Sequence, residues 1–259
     1  MEKLTVKQQE KLVQQLLKMG ENCIYSGAEI NRVEDMINFT GYSYGAKNVN
    51  VFVITSCIIL TLNFEDNQVT STKRIRQFGY IDLTRLEKLN ALSRKLCKKP
   101  IGVDELETEV DKIVECNQNM KELFIGDLLS SGAFALFFGG NLYDVIFASL
   151  VGILVFLMQK YIEPICMNSM VFKFVGCFFT GLITCFLAYL IPQCHQDILT
   201  IAEVMLFIPG VMFTNSLRDT LLGDTLSGAL RFIEATLLAG AVVFGFFASM
   251  YIFKGLFLL

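Results

Sequence analysis

Residues Ile208–Ala235 read IPGVMFTNSLRDTLLGDTLSGALRFIEA, a polar stretch between two apolar runs that are long enough to cross a lipid bilayer. Six ionisable residues lie between Glu203 and Glu234, both included, among apolar neighbours. Charge inside or beside a membrane span is energetically costly and is usually retained for function. The stretch therefore predicts an α-helical integral membrane protein whose functional site lies here.

The distribution of charge divides the chain into two parts. Residues 1–122 hold 17 basic and 17 acidic residues, whereas residues 123–259 hold 5 and 8. This break predicts an N-terminal cytoplasmic α+β domain over 1–122 and a transmembrane domain over 123–259. The N-terminus is a charged amphipathic helix rather than a signal peptide, which favours the cytoplasm for the first domain. Neither part is basic enough to indicate nucleic-acid binding.

Apolar runs in the second part predict about five transmembrane helices, since about 20 residues cross the hydrocarbon core of a bilayer. These runs are Leu123–Gly140, Tyr143–Gln159, Met170–Ile191, Ile198–Leu217 and Phe232–Phe253. With the N-terminus inside, four Lys or Arg residues fall in the inner loops and none in the outer loops, as the positive-inside rule requires. Lys254, near the C-terminal end, is the exception.

The first domain shows mixed helix and strand patterns. Ile30, Val33 and Ile37 recur at helical spacing and are expected to face a core. The predicted elements are two helices within the first 45 residues, one buried strand at Val51–Leu62, a second strand at 68–75, and two helices at 82–97 and 103–119.

Features of common enzymes and metal proteins are missing from the sequence. The eight cysteines form no CxxC pair, and His195 is the single histidine, so a zinc site of the usual spacing is not expected. There is no Walker-type phosphate loop. The acidic residues Glu29 and Glu34 could serve acid–base chemistry, but a solvated face or a docking patch is the commoner reason for such charge. We therefore expect no enzyme activity, no cofactor and no metal.

The polar stretch begins with a helix-breaking pair in the run Ile198–Leu217. Pro209 removes a backbone donor, and Gly210 adds flexibility at the same point. Interrupted helices of this kind expose backbone groups to the substrate in many transporters. A proline kink without a functional role is the alternative, because such kinks are well tolerated in membrane helices.

The side chains around this break are candidates for binding a carboxylate or a proton. Arg218 has a planar fork of donors suited to carboxylates, and Asp219 and Asp224 could pair with it or carry protons. Arg231 precedes Glu234 by about one helical turn and could pair with it. An ordinary inner loop with capping residues is the alternative. The candidate substrate- or ion-binding residues are Glu203, Pro209, Gly210, Asn215, Arg218, Asp219, Asp224, Ser227, Arg231 and Glu234.

Two segments resemble motifs of a known family. The run from Pro209 to Ala235 resembles the signature of the threonine/serine exporter family, and SGAEINRVEDMI at 26–37 resembles the second motif of that family. The second resemblance adds a cytoplasmic motif with Gly27, Glu29, Arg32 and Glu34. The resemblance to this family implies an exporter of threonine, serine or dicarboxylates such as succinate in a bacterial cytoplasmic membrane.

The resemblance also implies a partner. Long members of the family carry further spans in one chain, so this chain resembles the YjjP-like split form. A shorter YjjB-like membrane subunit would supply the remaining spans, and a higher oligomer is compatible with this form. The substrate, the coupling ion, the stoichiometry with the partner, any activity of the cytoplasmic domain, and whether 215–227 is a loop or a re-entrant segment stay open.

Three hypotheses follow. The leading one is a subunit of a secondary efflux transporter, in which Arg218 and Arg231 hold the carboxylate of the substrate and nearby acids carry protons. The second is a membrane-anchored regulatory or scaffold protein that acts through its cytoplasmic domain. The third, a membrane-tethered hydrolase, is the weakest because no histidine is available to activate Ser26, Ser43 or Ser56.

Overall fold

The computed structural model describes residues 4–75, 81–116, 119–166 and 168–257. The chain divides into two compact units. The first unit contains Met1–Asn117 and Val211–Phe232, and the second contains Gln118–Gly210 and Ile233–Leu259. The sequence-based division at residue 122 places Val211–Phe232 with the membrane domain, whereas the contacts of this segment place it in the first unit.

Helices and one antiparallel sheet build the N-terminal part of the first unit. The helices are α1 (Val6–Tyr25), α2 (Ile30–Ser43), α3 (Leu83–Lys98) and α4 (Val103–Val114). Thr5 and Gln8 form a capping box at the start of α1, and Asp82 caps α3 by accepting from the Arg85 N–H at 2.9 Å. The predicted core positions Ile30, Val33 and Ile37 are buried.

The sheet corrects one prediction. Its strands are β1 (Asn48–Ile54), β2 (Cys57–Asn63) and β3 (Gln68–Arg74), in the order β1-β2-β3. The prediction of a single buried strand over Val51–Leu62 was wrong, because Thr55 and Ser56 form a two-residue turn and Ile54 pairs with Cys57. Only one face of this hairpin is buried, which an unbroken apolar run does not reveal: Ile58 and Leu60 are fully buried, whereas Phe52 and Ile59 are exposed.

The polar stretch of the sequence forms the rest of the first unit. It consists of α9 (Gly210–Leu221), from Val211 onward, and the first turns of the long helix α10 (Thr225–Phe257). Gly223 connects the two helices with a φ of 103°, a conformation that favours glycine. A Cβ atom on Gly228 would lie 2.7 Å from the carbonyl oxygen of Ser216, so this glycine allows α9 and α10 to approach closely.

The described residues of the second unit form helices joined by short loops. It contains α5 (Met120–Phe137), α6 (Leu142–Tyr161), a short 3-10 turn (Glu163–Ile165), α7 (Ser169–Leu190), α8 (Gln196–Phe207) and the remainder of α10. Glycines bring the backbones of these helices together. A Cβ atom on Gly152 of α6 would lie 2.6 Å from the Asp127 carbonyl oxygen of α5, and one on Gly245 of α10 would lie 2.6 Å from that of Phe174 on α7.

Three helices among the described residues are long and apolar enough to cross a membrane, namely Leu142–Ile165, Ser169–Leu190 and Thr225–Leu256. The number rises to four if α8 and α9, which are separated by a bend at the predicted break, form one interrupted span. Helix α5, the first predicted span, includes Lys121, Glu122 and Asp127 and does not qualify by composition. The chain is thus an α-helical membrane protein, and the count of five spans stays a prediction.

Candidate functional site

Residues from both sequence motifs meet in the first unit, at the loop between α1 and α2. Gly27 turns this loop with a φ of 91°. Asn215 of α9 donates its side-chain amide to the Gly27 carbonyl oxygen at 2.8 Å, and Arg231 of α10 donates Nη2 to the Ala28 carbonyl oxygen at 2.7 Å. Two side chains of the C-terminal stretch therefore bind the backbone of the N-terminal motif.

Asp219 completes this arrangement by acting on the first turn of α2. Its Oδ1 accepts from the Ile30 N–H at 3.2 Å, which satisfies one of the free backbone donors at the start of the helix. Glu29, the residue at the N-cap position, makes no side-chain capping bond of its own. A carboxylate from a distant element thus replaces the local cap, and its negative charge suits the positive end of the helix dipole.

The Asp219 carboxylate also forms a buried ion pair. Its Oδ2 lies 3.2 Å from Nη1 of Arg231, and the two side chains are 0% and 6% exposed. A buried charge that loses its partner is strongly destabilising, so the two residues depend on each other. We name Asn215, Asp219 and Arg231, with the loop Gly27–Ile30 that they bind, the motif junction.

Glu29 extends the junction toward solvent. It lies between two arginines, 2.8 Å from Arg218 Nη1 and 3.2 Å from Arg32 Nε. The Arg218 side chain is 53% exposed, whereas that of Glu29 is 13% exposed. In contrast to Arg231, Arg218 can therefore be reached by a small molecule from solution.

Glu34 forms a second polar contact in the first unit and lies within electrostatic range of Asp224. Glu34 accepts from the Val53 N–H of β1 at 3.0 Å. Its partial burial raises its pKa above the ordinary value, an effect that the hydrogen bond from Val53 opposes and the nearby charge of Asp224 reinforces. Ser227, the remaining candidate in this unit, is buried on α10.

The remaining predicted site residues lie in the second unit. Glu203 on α8 is fully buried, and its Oε1 is hydrogen-bonded to the Ser131 hydroxyl of α5. Pro209 and Gly210 follow the end of α8, and Glu234 lies half-buried on α10. The structure therefore divides the ten candidates between two units rather than gathering them into one site.

Sequence reasoning did not identify several polar residues of the second unit. Lys173 of α7 donates to the Phe207 carbonyl oxygen at 2.7 Å and so caps the C-terminal end of α8 beside the Pro209 break. Ser131 and Asp127 contribute to the surroundings of Glu203 from α5. Their sequence signal is an i, i+4 polar pair within an apolar run, a spacing that places both side chains on one helix face.

A further polar contact joins two loops of the second unit. Asp144 is fully buried at the start of α6 and accepts from the backbone N–H of His195 at 2.7 Å. Its Oδ2 also lies 2.9 Å from the Nδ1 atom of His195. The loop before α6 is joined to the same region by Asn141, which donates to the Gln193 carbonyl oxygen at 2.6 Å.

This contact predicts a pH-dependent stability. The hydrogen bond and the charge of Asp144, with a smaller effect of Asp197, raise the pKa of His195 above about 6.5. The stabilisation is therefore complete below the unfolded-state pKa and is lost as pH rises through the folded-state pKa. Melting temperatures of the purified protein should fall across this window, and His195→Gln should flatten the fall. An equal fall in the variant would contradict the assignment.

The residues that the structure describes include no group of three His, Cys, Asp or Glu side chains placed to hold a metal ion. The junction provides a buried ion pair between Asp219 and Arg231, and beside it Arg218 provides one accessible guanidinium.

In a comparison with known families, the model of the family described as "putative threonine/serine exporter" matches residues 14–253. Neither a curated protein nor a solved structure matches the chain.

Proposed function

We propose that this chain, which belongs to the threonine/serine exporter family, is one subunit of a secondary exporter of small carboxylate-bearing metabolites. Threonine, serine and dicarboxylates such as succinate are the substrates we propose. The family match and the long apolar helices support a membrane exporter. The finer proposal adds a bacterial cytoplasmic membrane, a cytoplasmic N-terminal domain and about five spans, with a shorter YjjB-like subunit supplying the rest.

The accessible guanidinium of Arg218 carries the proposal for substrate binding. More than half of its side chain is exposed, and its present partner is the carboxylate of Glu29 at 2.8 Å. A substrate carboxylate can replace that partner with the same charge-assisted geometry. Arg231 is a weaker candidate because it is buried and its guanidinium already contacts Asp219 and Ala28.

The junction suggests how substrate binding could act on the membrane helices. Arg218 and Asp219 are neighbours on α9, so a substrate that draws Arg218 away from Glu29 acts directly beside the ion pair with Arg231. Arg231 lies on α10, whose continuous helix runs on into a candidate span. We therefore assign Asn215, Asp219 and Arg231 a positioning role and keep Arg218 as the residue that contacts substrate.

Efflux from cells loaded with labelled threonine, serine and succinate tests this proposal. The chain is expressed alone, with its shorter partner, and with the partner as Arg218→Ala, Arg218→Lys or Lys47→Ala. A hydrogen bond to a charged group contributes about 1.5–3 kcal/mol, so Arg218→Ala should lower the efflux rate by about 10- to 100-fold. Lys47→Ala is the matched control, because Lys47 is an exposed cation paired with the exposed Glu65 in the same unit.

The outcomes separate the proposal from the regulatory alternative. Export by the pair that falls in Arg218→Ala and partly recovers in Arg218→Lys supports the assigned role. Export that is equal in all variants removes Arg218 from substrate binding. No export of any of the three compounds, with both proteins present in the membrane, contradicts these substrates and favours a scaffold that acts through the first unit.

A further inference from the structure

The surroundings of Glu203 in the second unit carry an inference about proton coupling that rests on the proposed function. Glu203 is fully buried on α8, and the described residues contain no ion pair to it. Its Oε2 is buried without a hydrogen-bond partner in that part of the chain. A bare carboxylate in such a place is costly, whereas a neutral carboxylic acid is tolerated.

The hydrogen bonds of Ser131 indicate that the Glu203 carboxyl group carries a proton. Its hydroxyl oxygen lies 2.6 Å from the Ala148 carbonyl oxygen of α6 and within hydrogen-bonding distance of Glu203 Oε1. A hydroxyl has a single hydrogen, and a carbonyl oxygen can only accept. When Ser131 donates to Ala148, the contact with Glu203 requires a hydrogen on the carboxyl group. The arrangement therefore fits a protonated Glu203 that donates to Ser131.

A second acid lies within electrostatic range. Asp127 of α5 is one helical turn before Ser131, and its charge acts on Glu203. The Gln159 side chain of α6 lies near its carboxyl group. Two neighbouring acids share a proton more readily than they carry two negative charges, so an ionised Asp127 favours the neutral form of Glu203. The charged residue on α7 is Lys173, which donates to the Phe207 carbonyl oxygen, one helical turn after Glu203 on α8.

We propose that Glu203 binds and releases the proton that couples transport, that Ser131 positions its protonated form, and that Asp127 is the neighbouring acid that sets when the proton leaves. On release, one proton departs from the Glu203 carboxyl group to water or to the Asp127 carboxylate, and the same group takes it up again at the end of the cycle. Membrane carboxylic acids that face the interior of a helix bundle are a common basis of proton relays.

Transport by the chain and its partner subunit in proteoliposomes tests this proposal. Two modes are compared with the labelled compound that the wild type transports: exchange without a pH gradient, and net transport driven by one. Glutamine has the shape of the protonated Glu203 side chain and cannot lose a proton. We therefore expect exchange to continue in Glu203→Gln and gradient-driven transport to be lost. Asp197→Asn is the control, because Asp197 is an exposed acid in the first turn of the same helix.

Each outcome has one meaning. Gradient-driven transport by Glu203→Gln at the wild-type rate overturns the proposal. Absence of both modes in the wild type contradicts the proposed function instead. Infrared spectra of the purified chain provide a readout independent of transport. At neutral pH a protonated carboxyl band should be present, should vanish in Glu203→Gln and persist in Asp197→Asn, and should move to higher frequency in Ser131→Ala. A wild-type spectrum without this band also overturns the proposal.

Discussion

Replacing Arg231 by alanine should destabilise the first unit by about 3–5 kcal/mol, because it leaves a buried carboxylate without its counter-charge. Asp219 is fully buried and lies 3.2 Å from the guanidinium that would be lost. The same substitution removes the donor to the Ala28 carbonyl oxygen at 2.7 Å. The loop before α2 would lose the hydrogen bond to Ala28, and the Asp219 carboxylate that binds the Ile30 N–H would lose its counter-charge.

Amide hydrogen exchange of the full chain measures this effect where it arises. The peptide that contains Ile30 should exchange faster in Arg231→Ala, since its N–H donates to the Asp219 carboxylate at 3.2 Å. Lys112→Ala is the control, because Lys112 is exposed and forms a surface ion pair with Glu109 on α4, and such pairs contribute little to stability. Equal exchange in both variants would show that the ion pair does not hold the junction.

A double variant separates charge from packing. Arg231→Met combined with Asp219→Leu replaces the pair by apolar side chains and leaves no buried charge behind. Such replacements often restore or exceed the original stability, so the double variant should be more stable than Arg231→Ala alone. Efflux should remain impaired in it, because the hydrogen bonds to Ala28 and Ile30 are absent. Recovery of both stability and efflux would contradict a positioning role for the junction.

Local patterns predicted the parts of this structure that depend on local rules. Helical spacing located α1 and α2 and identified Ile30 and Val33 as core residues. The predicted strand at 68–75 and helix at 82–97 match β3 and α3 within one position at each end. These features depend on neighbours within a few turns of chain, which the sequence displays directly.

Partners across long separations were beyond such patterns. The run Val51–Leu62 was read as one strand because its apolar content is continuous, although a two-residue turn divides it. The spacing on one helix pairs Arg231 with Glu234, and that pairing stays a prediction, but no such spacing reveals the contact of Arg231 with Asp219 on α9. Asp219 binds the backbone of a loop 189 residues away. The residue types were evident, but their partners depend on tertiary packing.

The second large effect is expected at Gly152, where α5 and α6 pack closely. A Cβ atom there would lie 2.6 Å from the Asp127 carbonyl oxygen and 3.0 Å from the Ser131 Cβ atom. Backbone cannot give way as a flexible side chain does, so the two helices must separate. Overpacking of this kind costs about 1–3 kcal/mol, and we expect Gly152→Ala to lower the melting temperature of the purified chain.

Gly126→Ala is the matched control for this substitution. Gly126 lies on α5 in the same unit, and a Cβ atom there meets nothing within 4 Å. Alanine favours helix over glycine by about 1 kcal/mol, so this variant should melt at the wild-type temperature or above it. The opposite signs expected for the same chemical change test the packing directly. A rise in melting temperature for both variants would mean that α5 and α6 are not in close contact.

Gly152→Ala also links packing to the proton site. Separation of α5 from α6 would move Ser131 away from the Ala148 carbonyl oxygen, its acceptor at 2.6 Å. The Ser131 hydrogen would then be free to turn toward Glu203, which removes the geometric reason for a protonated acid. The protonated carboxyl band of Glu203 should therefore weaken in Gly152→Ala and remain unchanged in Gly126→Ala. A band that is unaffected in both variants would show that the helix contact does not control the protonation of Glu203.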